Sequence, residues 1–192
     1  MSSNKVYISI GRHEHYGYGD TAILRADMLT AFQTGKMLKE WLPPCETIYF
    51  SPLERAAETA RFQALGMGCS HLLESQFLSE DTPKFEVQKF FNRLLELTPD
   101  SVRYYHFVTH LPVAEKLGLP FLGAGDVCLL TADSWQNMLS ENYTLQTVRA
   151  PQVDIDIWQQ IAQNPDSLEQ LSADEIYDML KKQKTPSADN QE

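Results

Sequence analysis

Ile48-Tyr49-Phe50-Ser51-Pro52-Leu53-Glu54-Arg55-Ala56-Ala57-Glu58-Thr59-Ala60 is the stretch that decides the fold. With Thr47, its first three residues are β-branched or aromatic and read as a strand, Thr47–Phe50. Ser51-Pro52 then reads as a helix start, with serine in the capping position and proline in the first turn. The spacing predicts a helix to about Leu65, ending near Gly66. A strand that feeds a helix so directly is a building unit of an α/β sheet. In such sheets, sites form beyond the carboxyl ends of the strands, which is where Arg55 falls.

Two other segments end in the same way. Lys5–Gly11 is a short β-rich run followed by Arg12-His13 and a polar loop to Thr21. Arg103–Thr109 reads as a strand followed by His110 and a short helix, Leu111–Leu117. Between them, Arg25–Leu42 carries a helical apolar face and is stopped by Pro43-Pro44. His71–Phe77 is ambiguous, a short strand and then a loop. Phe85–Leu97 follows Thr82-Pro83 as a helix that can pack Phe85, Phe90, Phe91, Leu94 and Leu95. Asp126–Thr131 and Tyr143–Val148 read as a closing pair of strands. Asp154–Gln163 and Ala173–Lys182 read as C-terminal helices, and Thr185–Glu192 as a frayed end. The fold expected is a three-layer α/β/α sandwich with a mostly parallel central sheet. Residues 1–184 form one domain, with a helical extension from about 151 and a flexible tail at 185–192.

The chain has 192 residues, enough for one domain with a real core. Its formal net charge of −10 argues against nucleic acid and anionic membrane as partners, because both reward clustered Lys and Arg. It leaves room for a phosphorylated substrate, which needs only a few cations held locally. The apolar runs are too short to cross a bilayer, and the N-terminus lacks the pattern of a signal peptide, so a cytoplasmic location is expected. Cys45, Cys69 and Cys128 are odd in number and lack a CxxC pair, which argues against a disulfide framework.

Two arginines and two histidines thus fall at the ends of three strands. Arginine offers a rigid fork of donors that fits phosphate oxygens. Histidine can attack phosphorus through a neutral ring nitrogen and carry the phosphoryl group covalently. The pattern points to phosphoryl transfer through a phosphohistidine.

Ile10-Gly11-Arg12-His13 resembles the Arg-His-Gly signature after the first strand of the histidine phosphatases of the phosphoglycerate mutase-like superfamily. Ile48–Ala60 resembles that family's second block, a strand, Ser-Pro-x-x-Arg-Ala and Thr-Ala. Phe107-Val108-Thr109-His110 resembles its third, and Leu29–Leu38, with Gln33 and Gly35, its first helix. The order and separations agree over roughly residues 5–150. The resemblance is to the small phosphohistidine phosphatase branch in style. It implies that His13 is the nucleophile, that Arg12, Arg55 and His110 hold the phosphoryl oxygens, and that neither metal nor cofactor is required.

Two features depart from the family pattern. Glu14 replaces the signature glycine and is expected to point away from the pocket as a solvated loop carboxylate, with a proton-donating or selectivity role as the alternative. The asparagine that many members carry after the nucleophile has no counterpart in Tyr18-Gly19-Asp20. The general acid is expected at Glu80 or Asp81, with Glu74 a further candidate. His15, Tyr16 and Tyr18 either pack the loop or meet the leaving group, and His71 and His106 are expected to be structural. The short segment over Leu72–Ser101 suits an open site and a bulky substrate. The expected function is hydrolysis of a phosphomonoester or a protein phosphohistidine. The partner is then a phosphorylated small molecule or a phosphohistidine-bearing protein. The alternative is a catalytically inactive pseudo-phosphatase that binds phosphate or a phosphoprotein.

Overall fold

The computed structural model describes residues 5–16, 22–151 and 171–183. The chain divides into two compact units, Met1–Pro151 and Gln152–Glu192. The first contains all of the sheet. Its strands are β1 (Val6–Arg12), β2 (Thr47–Phe50), β3 (Leu72–Glu74), β4 (Tyr104–Thr109), β5 (Val127–Ala132) and β6 (Thr144–Val148), in the order β3-β2-β4-β1-β5-β6. β1, β4, β2 and β3 pair in parallel, and β5 and β6 add an antiparallel edge. The helices are α1 (Arg25–Trp41), α2 (Glu54–Met67), α3 (Lys84–Leu97), α4 (Leu111–Lys116) and α5 (Trp135–Leu139). The expected sandwich with a mostly parallel sheet is the one found.

Strand alternation divides the core into two layers. Val6, Ile8 and Ile10 of β1, with Tyr105 and Phe107 of β4, face α3, α4 and α5 and pack on Phe91, Leu95, Val113 and Trp135. Tyr104 and Val108 of β4, with Ile48 of β2, face the other way and pack on Leu38 of α1 and Ala56, Ala60 and Ala64 of α2. Of the residues expected to pack from α3, Phe91 and Leu95 are buried, whereas Phe85 is 66% exposed.

A polar thread runs through the second layer. Tyr104 OH and Ser9 Oγ lie 2.6 Å apart, Ser9 Oγ and His106 Nδ1 2.6 Å, and His106 Nε2 and Gln63 Oε1 2.7 Å. The Gln63 oxygen makes Nε2 the donating nitrogen, so Nδ1 accepts from Ser9. His106 is wholly buried and held at both ring nitrogens, the structural role expected of it.

The start and end of α2 differ from the expectation. The helix begins at Glu54 with Leu53 in the capping position, and the Ser51 hydroxyl meets His110 and the Leu53 amide instead of an amide of the helix. It ends at Met67, with Gly68 in the left-handed conformation at φ 74°. Gly66 serves instead to let two helices touch: a Cβ there would stand 2.2 Å from the Phe32 carbonyl of α1, and one on Gly35 2.2 Å from that of Gln63.

In the second unit, the helix Ala173–Gln183 matches the expected Ala173–Lys182. Ser172 and Glu175 form its capping box, with the Ser172 hydroxyl accepting from the Glu175 amide and Glu175 Oε2 from the Ser172 amide. The expected helix at Asp154–Gln163 and the frayed end lie outside the described residues. Among the described residues, no helix is long and apolar enough to cross a membrane.

Candidate active site

β1 and β4 run in parallel with Arg12 opposite Thr109, so the residues that follow, His13 and His110, leave the sheet side by side. Their ring centroids are 5.0 Å apart. The His13 amide donates to the Thr109 carbonyl at 2.9 Å, which fixes the chain at His13. β2 ends at the same edge, and α2 carries Arg55 into the gap.

The His13 ring is oriented by two contacts. Nδ1–H donates to the Glu14 carbonyl at 2.6 Å, and Arg55 Nε donates to Nε2 at 3.2 Å. The first contact puts the neutral ring's proton on Nδ1 and leaves a lone pair on Nε2, facing the guanidinium. Burial pushes the His13 pKa down to about 4; the bond to the Glu14 carbonyl opposes this, and Arg55, Arg12 and His15 add to it. The ring is therefore an unprotonated base at neutral pH. Tyr16 stands at its edge, with ring centroids 5.6 Å apart, and its face lies 4.9 Å from the Arg55 guanidinium carbon.

His110 caps α4 and is almost wholly buried. Its Nε2 lies 2.7 Å from Ser51 Oγ. The Glu80 carboxylate on the Nδ1 side favours the tautomer with the proton there, and Nε2 then accepts from the Ser51 hydroxyl, which itself accepts the Leu53 amide. Nδ1 is buried without a hydrogen-bond partner and lies 3.8 Å from Glu80 Oε2. Burial lowers the His110 pKa to about 3, with His13, Arg55 and Arg12 adding to the effect. His110 thus offers a neutral N–H donor to whatever enters the gap.

Arg12 Nη1 donates to the Leu122 carbonyl at 3.1 Å, while its Nε is buried and unpartnered. Arg55 Nη2 donates to Glu80 Oε2 at 2.9 Å. Two guanidiniums, one N–H of His110 and the lone pair of His13 therefore meet at one place. They can hold three oxygens of a tetrahedral anion and attack its centre.

The structure brings together Arg12, His13, Arg55, His110 and Glu80. It does not bring in Asp81, which is exposed and, among the described residues, makes no hydrogen bond or ion pair with the cluster. Glu80 is placed by groups that sequence reading did not single out: Lys116 Nζ donates to its carbonyl at 2.5 Å, and Thr109 Oγ1 donates to the Leu78 carbonyl at 2.8 Å. Thr59, part of the second block, ties the loop after β1 to α2 by accepting the Glu14 amide at 3.1 Å.

Glu14 departs from the expectation of a solvated carboxylate. It is 1% exposed, and its carboxyl lies against Gly125, where a Cβ would stand 2.4 Å from Oε2. Gly125 has φ 73°, and no other residue could give the carboxyl that room. Burial, with a smaller push from the Asp27 and Asp126 carboxylates, raises the Glu14 pKa to about 8. The signal that could have shown this is Gly-x-Gly at 123–125, small residues facing the strand-one loop.

No family model matches the chain, and no curated protein sequence matches it. Solved structures match its fold. The protein histidine phosphatase SixA, solved with tungstate, has a TM-score of 0.61 at 16% identity, over 76% of this chain and 97% of that one. A mycobacterial glucosyl-3-phosphoglycerate phosphatase has a TM-score of 0.54 at 13% identity, over 76% and 99%. A phosphoglycerate mutase from Plasmodium falciparum has a TM-score of 0.52 at 18% identity, over 78% and 94%. At these identities, the likeness is one of fold.

Proposed function

We propose that this protein is a phosphatase that works through a covalent phosphohistidine on His13. The observation that carries the reading is the state of the His13 ring: Nδ1–H bonded to the Glu14 carbonyl, and the Nε2 lone pair facing Arg55 beside His110. Nε2 attacks phosphorus, the bond to the leaving group breaks, and the phosphoryl group passes to the ring. Arg12, Arg55 and His110 take the three equatorial oxygens and stabilise the charge as it spreads over them. Water then attacks the phosphohistidine and phosphate leaves.

Glu80 is the candidate proton donor to the leaving group in this reading. It sits on Arg55 and close to His110 at the rim of the pocket, with its side chain 41% exposed. A phosphate that displaces Glu80 from Arg55 leaves the carboxyl beside the leaving oxygen. The substrate class is a phosphomonoester or a protein phosphohistidine. The fold likeness to SixA, a protein histidine phosphatase, supports the second.

Turnover of an activated aryl phosphate tests the reading. His13→Ala should abolish it, and Arg55→Ala should lower kcat/KM by about 10²- to 10³-fold, the usual loss for a donor to developing charge. Vanadate should inhibit the unaltered enzyme. Unaltered turnover in His13→Ala contradicts the reading. No turnover by the intact protein, together with phosphate binding that needs Arg55, favours a binding module.

A further inference from the structure

The loop after the nucleophile holds a second polar cluster, which meets the phosphate pocket only at Glu14, whose backbone carbonyl holds His13 Nδ1 while its side chain belongs to the cluster. One ligand atom each from Glu14, His15 and Asp27 lies within 4.8 Å of the other two. Glu14 forms the floor, 1% exposed, and its Oε1 is buried with no hydrogen-bond partner. Asp27 forms a wall, with its side chain 17% exposed, and His15 closes the open side at 68%, its Nδ1 3.6 Å from Asp27 Oδ1.

The backbone holds these three residues in place. The Leu24 amide donates to the His15 carbonyl at 3.0 Å, and the Asp27 amide donates to the Leu24 carbonyl at 2.9 Å. The Glu14 amide is tied to Thr59. The charged groups that face Glu14 are Asp27 and Asp126, both acidic; Asp126 accepts from Arg149 at 2.9 Å and Asp27 lies against His15. Among the described residues, no salt bridge reaches the Glu14 carboxyl.

We propose that Glu14, His15 and Asp27 bind one divalent cation of the zinc class. Two carboxylates and an imidazole are an N/O set that suits zinc and its first-row neighbours. Magnesium and calcium favour all-oxygen sets, and copper(I) favours thiolates. The ligand separation closes onto bonds of about 2.1 Å by side-chain shifts of about an ångström, and water completes the shell on the His15 side. Binding displaces the proton of Glu14, and the two carboxylates then neutralise the ion. The cation would fix the chain next to the nucleophile, and it takes no part in the phosphoryl transfer proposed above.

The test is equilibrium dialysis of the tag-free full chain against zinc(II) and cobalt(II), with metal content, the cobalt spectrum and Tm as readouts. One ion per chain is expected, with no thiolate band in the cobalt spectrum and a Tm that rises with zinc by mass action. His15→Ala alters an exposed side chain and keeps the fold, and it should weaken binding by about tenfold or more. Glu14→Gln, nearly isosteric, should do the same. No saturable binding overturns the proposal. So does binding unchanged in His15→Ala, or a thiolate band that is lost in Cys45→Ser/Cys69→Ser. Should Glu14→Gln fail to fold, His15→Ala decides alone.

Discussion

His106 lies within β4 and His110 follows its last residue, yet the two differ in kind. Both are buried, and both have their pKa lowered to about 3, chiefly by that burial. The shift therefore does not separate them. Their free nitrogens do. His106 is bonded at both ring nitrogens, to Ser9 and Gln63, and has nothing left to offer. His110 spends one nitrogen on Ser51 and keeps the other unpartnered at the edge of the sheet, beside His13 and Glu80. A buried polar atom without a partner costs about 1–3 kcal/mol, and a fold keeps that cost where a ligand meets it.

The contrast can be broken by substitution. The largest effect should come from His110→Ala, with kcat on an aryl phosphate down by about 10²- to 10³-fold and Tm little changed in comparison. His106→Gln should do the opposite, keeping kcat within a few-fold and losing about 1–3 kcal/mol of stability in a urea titration. If both variants lose activity alike, the distinction between the two histidines fails. Next is Glu80→Gln. It should slow an alkyl phosphate by about 10²-fold or more and leave an activated aryl phosphate or a phosphohistidine nearly untouched. An equal loss on all three substrates would make Glu80 a holder of Arg55 and not a proton donor.

The smallest effect concerns acid. The folded protein keeps His106 neutral down to about pH 3, while an unfolded chain takes up that proton below about 6.5. The unfolded state then binds more protons, so stability is full above the ordinary histidine value and falls as pH drops toward the folded one. The contribution is about 1.4 kcal/mol per pH unit. His106→Gln should therefore lose stability less steeply between about pH 6 and pH 4. An unchanged slope would mean that the ring is not held neutral.

The strand ends were legible because each pairs a short β-rich run with a polar residue directly after it, as at Gly11-Arg12-His13 and Thr109-His110. Parallel register then brings them together without further information. Glu80 was legible only as one of a pair with Asp81. What separates them is the contact of the Glu80 carboxylate with Arg55 and His110, two residues far away along the chain, which sequence does not connect to either. Glu14 was misread because a carboxylate beside a loop glycine pattern looks solvated. Its burial depends on Gly125, which comes from the turn before β5, and the glycine pair at 123–125 lies too far along the chain for the residues around Glu14 to reveal the close approach. Ser51 looked like a helix cap, since Ser-Pro is a strong local signal, but His110 claims its hydroxyl.

Rapid acid-free quenching of the protein with an aryl phosphate, followed by mass spectrometry of its peptides, tests the central claim most directly. A phosphoryl group that is stable in base, labile in acid and mapped to His13 is the predicted result, absent from His13→Ala. Steady turnover with no such adduct, or with the group on another residue, would contradict it.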